Sequence, residues 1–179
     1  MLLTSLFLPL IGFLALLITA NSIGRRLAGY IACTTVAISF ACFVVLLVNY
    51  LTTVATPHTI SFFQWIPIRG INADFSLRID SLSLLMTLII TGVGSLIHIY
   101  SIGYMEHEED FARYFACLNF FVFMMLLLVL AGNLLLLFVG WEGVGLASYL
   151  LIGFWYHRPA AASAATKAFV VNRIGDLGL

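Results

Sequence analysis

"LLLLFVGWEGVGLASYLLIGFWY", residues 134–156, is apolar enough to cross a bilayer and carries one acid, Glu142, near its centre. A spanning helix needs about 20 mostly apolar residues at a rise of about 1.5 Å each. Runs of that kind also occupy residues 2–20, 28–51, 82–104 and 113–132, and another opens near Ser163. The 179 residues are 63% hydrophobic and 9% charged, with mean hydropathy +1.11. No soluble domain of this size needs so much apolar surface for one core. The expected fold is an all-α polytopic membrane protein with five complete transmembrane helices plus the start of a sixth. The last residues, "NRIGDLGL", read as an incomplete piece of a longer protein.

The first run lacks a basic n-region and a small-x-small cleavage site, so it reads as a mature helix rather than a secretion signal. Zero formal net charge gives no reason to expect nucleic acid, and no basic segment suggests a polybasic lipid patch. Cys33, Cys42 and Cys117 lie in apolar runs without CxxC or Cys/His spacing and read as packing residues. No metal, haem or iron–sulfur ligand set is expected. With the N-terminus outside, Arg25, Arg26, Arg113, Arg158 and Lys167 all fall on the inner side, and Arg69 and Arg78 outside. The acidic run "EHEED", residues 106–110, reads as a solvated inner turn.

Residues 52–80 hold two strand-like stretches, "TISFFQWIPI" and "DFSLRID", separated by "RGIN" with Gly70 and Asn72. This pattern predicts an external β-hairpin between helices 2 and 3. Asp80 or Ser81 then caps the third helix. No internal repeat is visible within the six segments, although a repeat of several helices would exceed them.

Glu142 lies about 12 Å past the start of its run, in a hydrocarbon core about 30 Å thick. An acid at that depth costs about 2.5 to 3.5 kcal/mol on insertion scales, offset by protonation or by a cation. No Lys, Arg or His stands three or four residues away, so any partner comes from another helix. Its helical face carries Phe138, Gly145 and Tyr149; Gly145 leaves space for a close helix or for water. Gly143 and Ala147 form a small-xxx-small pair suited to tight packing. Such an acid reads as a group that loads and unloads a proton, against the alternative of a permanently neutral Glu bonded to a neighbour.

From a start near Ser163, Lys167 lies about 6 Å, Arg173 about 15 Å and Asp176 about 20 Å along the sixth segment. Arg173 and Asp176 share a face, so a local ion pair stands beside a role in proton transfer. Lys167 either snorkels to the inner surface or turns inward as a titratable amine. His98, in "LIHIYSIGYM" near the inner end of the third helix, is either a hydrogen-bonded packing residue or a proton relay. "TGVGS" in the same helix reads as close packing, and Trp65, Trp141, Trp155 and the tyrosines include interface anchors and nothing that resembles a cofactor box.

"LVLAGNLLLLFVGWEGVGLASYLLIGFWY" followed by "ATKAFVVNRIGDLGL" resembles the fourth to sixth helices of the subunit L family. These are the largest antiporter-like membrane subunits of proton-pumping NADH:quinone oxidoreductase, respiratory complex I. "FSLRIDSLSLLM" and "LIHIYSIGYM" resemble its third-helix region, so the likeness covers nearly the whole chain. The block around Glu142 is also similar to the large subunit of Mrp-type cation/proton antiporters, which is the alternative assignment.

The resemblance implies two inverted five-helix repeats, of which this chain reaches only the opening of the first. Residues 1–112 would be helices 1–3 with the hairpin at 52–80, and residues 113–179 the start of the proton-translocating repeat. Glu142 would pair with a lysine on a broken seventh helix beyond Leu179, and Arg173 and Asp176 match charged positions of the sixth. The candidate proton-translocation residues are Glu142, Lys167, Arg173, Asp176 and His98, with no redox active site in the chain. NADH, FMN, iron–sulfur clusters and quinone would belong to partner subunits. The partners would be other membrane subunits of complex I and the lipid of a bacterial inner membrane, rather than a mitochondrial one. Gly132 departs from the family, which carries an acid there, and Ala147 replaces a common cysteine.

Overall fold

A computed structural model describes residues 1–20, 22–54, 56–68, 71–176 and 178, with the side chains of residues 54, 67, 68 and 71–73 set aside. Five helices are long and apolar enough to cross a membrane: α1 (Leu2–Thr19), α2 (Arg25–Asn49), α3 (Ser81–Tyr104), α4 (Phe111–Leu130) and α5 (Leu134–Ile152). A π-helical turn, Tyr50–Val54, prolongs α2. The antiparallel strands β1 (His58–Ile68) and β2 (Ile71–Ile79) join α2 to α3, and α6 (Pro159–Asp176) comes last. The protein is therefore a multi-pass membrane protein with the expected hairpin between helices 2 and 3. Arg69 and Gly70, where the turn was expected, lie outside the described residues.

The helix starts follow from local chemistry. Asp80, in extended backbone, accepts from the Ser83 N–H at 2.7 Å, while Ser83 Oγ accepts from the Asp80 N–H at 2.9 Å. This capping box satisfies two groups that the first turn of α3 would otherwise leave unpaired. The Ser83 N–H, ahead of Arg78, holds the Asp80 carboxyl below its ordinary range. Asn133 caps α5 by one bond, its Oδ1 accepting from the Leu136 N–H at 2.8 Å.

Helix α4 packs against α1, α2, α3 and α5 and is the most buried of the five spans. Leu6, Val36, Phe43, Leu84, Leu126 and Leu130 fill the core at the hairpin end, and Leu16, Ala32, Phe111, Phe115 and Phe154 the opposite end. Outward apolar side chains such as Ile18, Leu82, Leu96 and Ile99 are exposed, as a surface facing lipid tails requires. At Gly140 a Cβ would lie 2.6 Å from Leu128 Cα, so only glycine lets α5 approach α4 this closely. Gly143 and Ala147 are buried, as the small-xxx-small pattern predicts. Gly92 lies against Phe40 and Gly94 against Val122 and Val36, which makes "TGVGS" a packing element.

The hairpin is pinned to the α4–α5 turn. Gly132 N–H donates to Ser76 O at 2.8 Å, and Asn133 Nδ2 donates to Asp74 O at 2.6 Å. The opposite end of the bundle is tied by Arg25 Nη1 to Glu106 O at 3.1 Å and by Arg113 Nη2 to Phe154 O at 2.8 Å. Arg25, Arg26, Arg113 and Arg158 therefore share one end, and Arg78 the other. The acidic turn at 106–110 is mostly exposed at the basic end.

Three boundaries differ from the sequence expectation. α5 stops at Ile152, and residues 153–158 turn back; α6 begins at Pro159 rather than near Ser163. Proline suits a first helical turn because its fixed φ is helical and its missing N–H would be unpaired there anyway. The apolar run through Tyr156 hid this turn: Phe154 and Tyr156 flank the Arg113 guanidinium, with ring centroids at 4.9 and 5.1 Å, instead of extending the helix. α2 likewise starts at Arg25, earlier than its apolar run.

Candidate functional site

The earlier start of α6 changes where its charges fall. Lys167 lies about 12 Å, Arg173 about 21 Å and Asp176 about 26 Å from Pro159. α5 begins at the hairpin end, with Glu142 about 12 Å along it. α6 begins at the opposite end and packs beside α5. Across a core of about 30 Å, Glu142 and Arg173 therefore reach nearly the same depth.

They meet. Arg173 Nη1 is ion-paired with Glu142 Oε2 and lies 3.7 Å from Asp176 Oδ2. Trp141 Nε1 donates to Asp176 Oδ1 at 2.8 Å. The two carboxylate side chains are 18% and 12% exposed, against 41% for Arg173, so the acids are the sheltered members. The Arg173 guanidinium sits 4.8 Å from the Phe169 ring centroid, and Phe169 packs on Tyr149 at 5.4 Å. At Gly145 the nearest atom to an added Cβ is Asn172 Nδ2, at 4.0 Å, so the face beside Glu142 is open.

Two acids around one guanidinium leave a formal excess of one negative charge. A guanidinium does not give up its proton in proteins, so proton exchange at this cluster falls on a carboxylate. A cleft of about 260 Å³ lies between α4, α5 and α6, lined by Arg113, Cys117, Tyr149, Gly153, Ala165 and Thr166. It lies toward the basic end, and Tyr149, on the face of α5 that bears Glu142, is one of its walls.

Of the five candidates, Glu142, Arg173 and Asp176 come together; Lys167 and His98 do not join them. Lys167 is exposed on α6 and forms no ion pair among the described residues. His98 is buried in the α1–α4 bundle, with Nδ1 2.7 Å from Gly94 O. Two corrections follow. Arg173–Asp176 is not a closed local pair, because the guanidinium also bridges to α5. Glu142 finds its cation on another helix, as the residues required, but that helix is α6 of this chain, where the resemblance implied a lysine beyond Leu179.

Trp141 was expected to anchor at an interface and instead orients Asp176. The available signal was an indole N–H, a donor with no acceptor of its own, in mid-span. Trp65 is exposed on β1, and Trp155 lies 5.4 Å from the Arg158 guanidinium at the basic end. Gly132 has a structural reason: an added Cβ would lie 2.8 Å from Ser76 O, so no side chain fits while the hairpin docks there.

Residues 65–115 match the family model described as NADH-Ubiquinone oxidoreductase (complex I), chain 5 N-terminus. Residues 131–179, which contain the whole charge cluster, match that described as NADH:quinone oxidoreductase/Mrp antiporter, TM. The chain belongs to this family. Among the relatives of this antiporter-family chain, NADH-quinone oxidoreductase subunit L of Escherichia coli is 41% identical over 179 residues, covering 100% of the chain and 29% of the relative. Subunit L of Mycobacterium tuberculosis is 65% identical over 117 residues, covering 65% of the chain and 18% of the relative. The antiporter-family fold also superposes on a chain of the Mrp complex from Dietzia sp. with TM-score 0.75 at 25% identity, covering 98% of this chain and 18% of that one. The chain thus spans less than a third of the length of these relatives.

Proposed function

We propose that this chain is part of a proton-translocating membrane subunit of NADH:quinone oxidoreductase. The observation that carries the proposal is the Glu142–Arg173–Asp176 cluster, an unbalanced set of charges between two helices of a membrane bundle. Uptake of one proton by Glu142 neutralises the excess charge and frees the guanidinium to settle on Asp176, which Trp141 already holds in place. A cation approaching from a neighbouring helix then favours the Glu142 anion and expels the proton. The cleft that Tyr149 lines is the supply side at the basic end, and Lys167, exposed on α6, is the next positive charge along that helix. Residues 1–112 act as the scaffold and residues 113–179 as the opening of the translocating repeat.

In this reading, NADH oxidation and quinone reduction take place in partner subunits that carry FMN and iron–sulfur clusters. The chain itself contributes electrostatic coupling and no redox step. Its partners are the other membrane subunits and the lipid of a bacterial inner membrane. The superposition on the Mrp complex favours a second reading, a cation/proton antiporter subunit that works without a redox partner. Purification of the tagged full-length protein from its membranes separates the two. Copurification with flavin and iron–sulfur subunits, with proton uptake into vesicles driven by NADH, is the expected outcome. Isolation without them, with proton movement driven by a cation gradient, would assign the antiporter instead.

A further inference from the structure

A second buried polar site lies among α1–α4, apart from Glu142. Ser83, Thr87, Thr91, His98 and Ser101 are all buried and recur along α3 at helical spacing. From Ser83 to Ser101 this stripe runs about 27 Å, close to the thickness of the hydrocarbon core, about 30 Å. Its threonines are self-satisfied: Thr87 donates to Leu84 O at 2.8 Å and Thr91 to Thr87 O at 2.6 Å.

His98 differs from them. In the neutral ring, Nδ1–H donates to Gly94 O at 2.7 Å, which makes Nε2 the acceptor. Nε2 is buried and has no partner among the described residues. The Asn119 amide of α4 adjoins it, 0% exposed, and its Nδ2 is also buried without a partner. Asn119 Oδ1 accepts from Thr35 Oγ1 of α2 at 3.5 Å. Gly12 of α1 closes the site, since a Cβ there would lie 2.8 Å from Asn119 Nδ2 and 2.6 Å from Thr35 Oγ1. Four helices thus converge on one acceptor and one donor, both unmatched, where burial without a partner is costly.

We propose that His98 is a second proton-binding site of this protein, with Asn119 as its positioning partner and a water-borne proton as its ligand. The Nε2 lone pair takes one proton from hydronium and leaves water; no other bond changes, and Nδ1–H stays on Gly94 O. The amide of Asn119 serves both charge states. A small shift of the amide brings its Nδ2–H to Nε2 of the neutral ring, and after a half-turn its Oδ1 accepts from Nε2–H of the imidazolium while Nδ2 donates to Thr35 Oγ1. Phe115, Asn119, Thr35 and Gly12 are the neighbours from α4, α2 and α1, and no charged group among the described residues acts on the ring. Tyr114, whose hydroxyl lies 3.3 Å from Ser101 Oγ, is the titratable group one turn closer to the basic end. With no anion beside it, the imidazolium is held only transiently, which suits a site that passes its proton on.

This inference rests on the proton-translocating role, and the test separates the two. In the assembled complex reconstituted in vesicles, protons moved per NADH oxidised are measured against pH for wild type, His98→Gln and Glu142→Gln. Glutamine keeps an amide at the ring position but does not titrate. The expected result for assembled His98→Gln is at least a halving of the protons moved per NADH oxidised and loss of the pH dependence of that ratio between about pH 5 and 8. A wild-type count at every pH in His98→Gln, with Glu142→Gln impaired, overturns the His98 site and leaves the main reading intact. Wild-type counts in both variants overturn both. If His98→Gln does not assemble, Asn119→Leu removes both amide ends but keeps the imidazole. A displaced pH profile in that variant supports the site, and an unmoved one overturns it.

Discussion

At the scale of single residues, the charges in the spans were legible one by one, and their meeting was not. Glu142 stands out because its carboxylate has no partner on its own helix, and Arg173 and Asp176 because they lie deep in a helical run. Their common depth depends on where α6 starts, and the shift from Ser163 to Pro159 moves every charge about 6 Å along the axis. That displacement turns a local Arg173–Asp176 pair into a bridge to Glu142. Removing one member of a sheltered ion pair strands the other, whereas removing both does not. Arg173→Leu is therefore expected to lower the thermal stability of the detergent-solubilised complex more than Glu142→Gln/Arg173→Leu does. Equal losses would mean that the pair contributes nothing to holding α6 on α5.

At the scale of elements, periodicity and turn chemistry identified five spans and a hairpin because each is a local pattern of apolar, alternating or capping residues. The α5–α6 boundary escaped because hydropathy reports apolar content and not backbone direction. Phe154, Trp155 and Tyr156 are as apolar as a helix, yet they pack around arginines in a turn. The docking of the hairpin on Gly132 and Asn133 was equally hidden, since it joins residues more than fifty positions apart. Two element-level predictions follow from geometry. Gly140→Val must push α5 off the Leu128 backbone and is expected to cost about 1–3 kcal/mol, read as a lower unfolding temperature; Gly143→Ala costs less, because it meets the flexible Met124 side chain. Asp80→Ala removes the α3 cap at about 1 kcal/mol. Because the Asp80 carboxyl is held below its ordinary value of 3.8, its contribution is complete above that pH and disappears as the pH falls below it. The wild type and Asp80→Ala should therefore converge in stability on acidification, which thermal melts across pH would record.

At the scale of the whole molecule, a bundle of α1–α4 carries α5 on the flank of α4 and α6 on α5, with basic side chains gathered at one end and the hairpin at the other. Formal net charge is zero, so any charge that drives function has to come from local imbalance. One such imbalance lies between α5 and α6, where two carboxylates share one guanidinium. The measurement that tests this most directly is the number of protons moved per NADH oxidised by the assembled, reconstituted complex carrying Glu142→Gln. A count reduced to half or less, with assembly and NADH oxidation preserved, is the predicted result. A wild-type count would contradict the assignment of Glu142 as the proton-loading group.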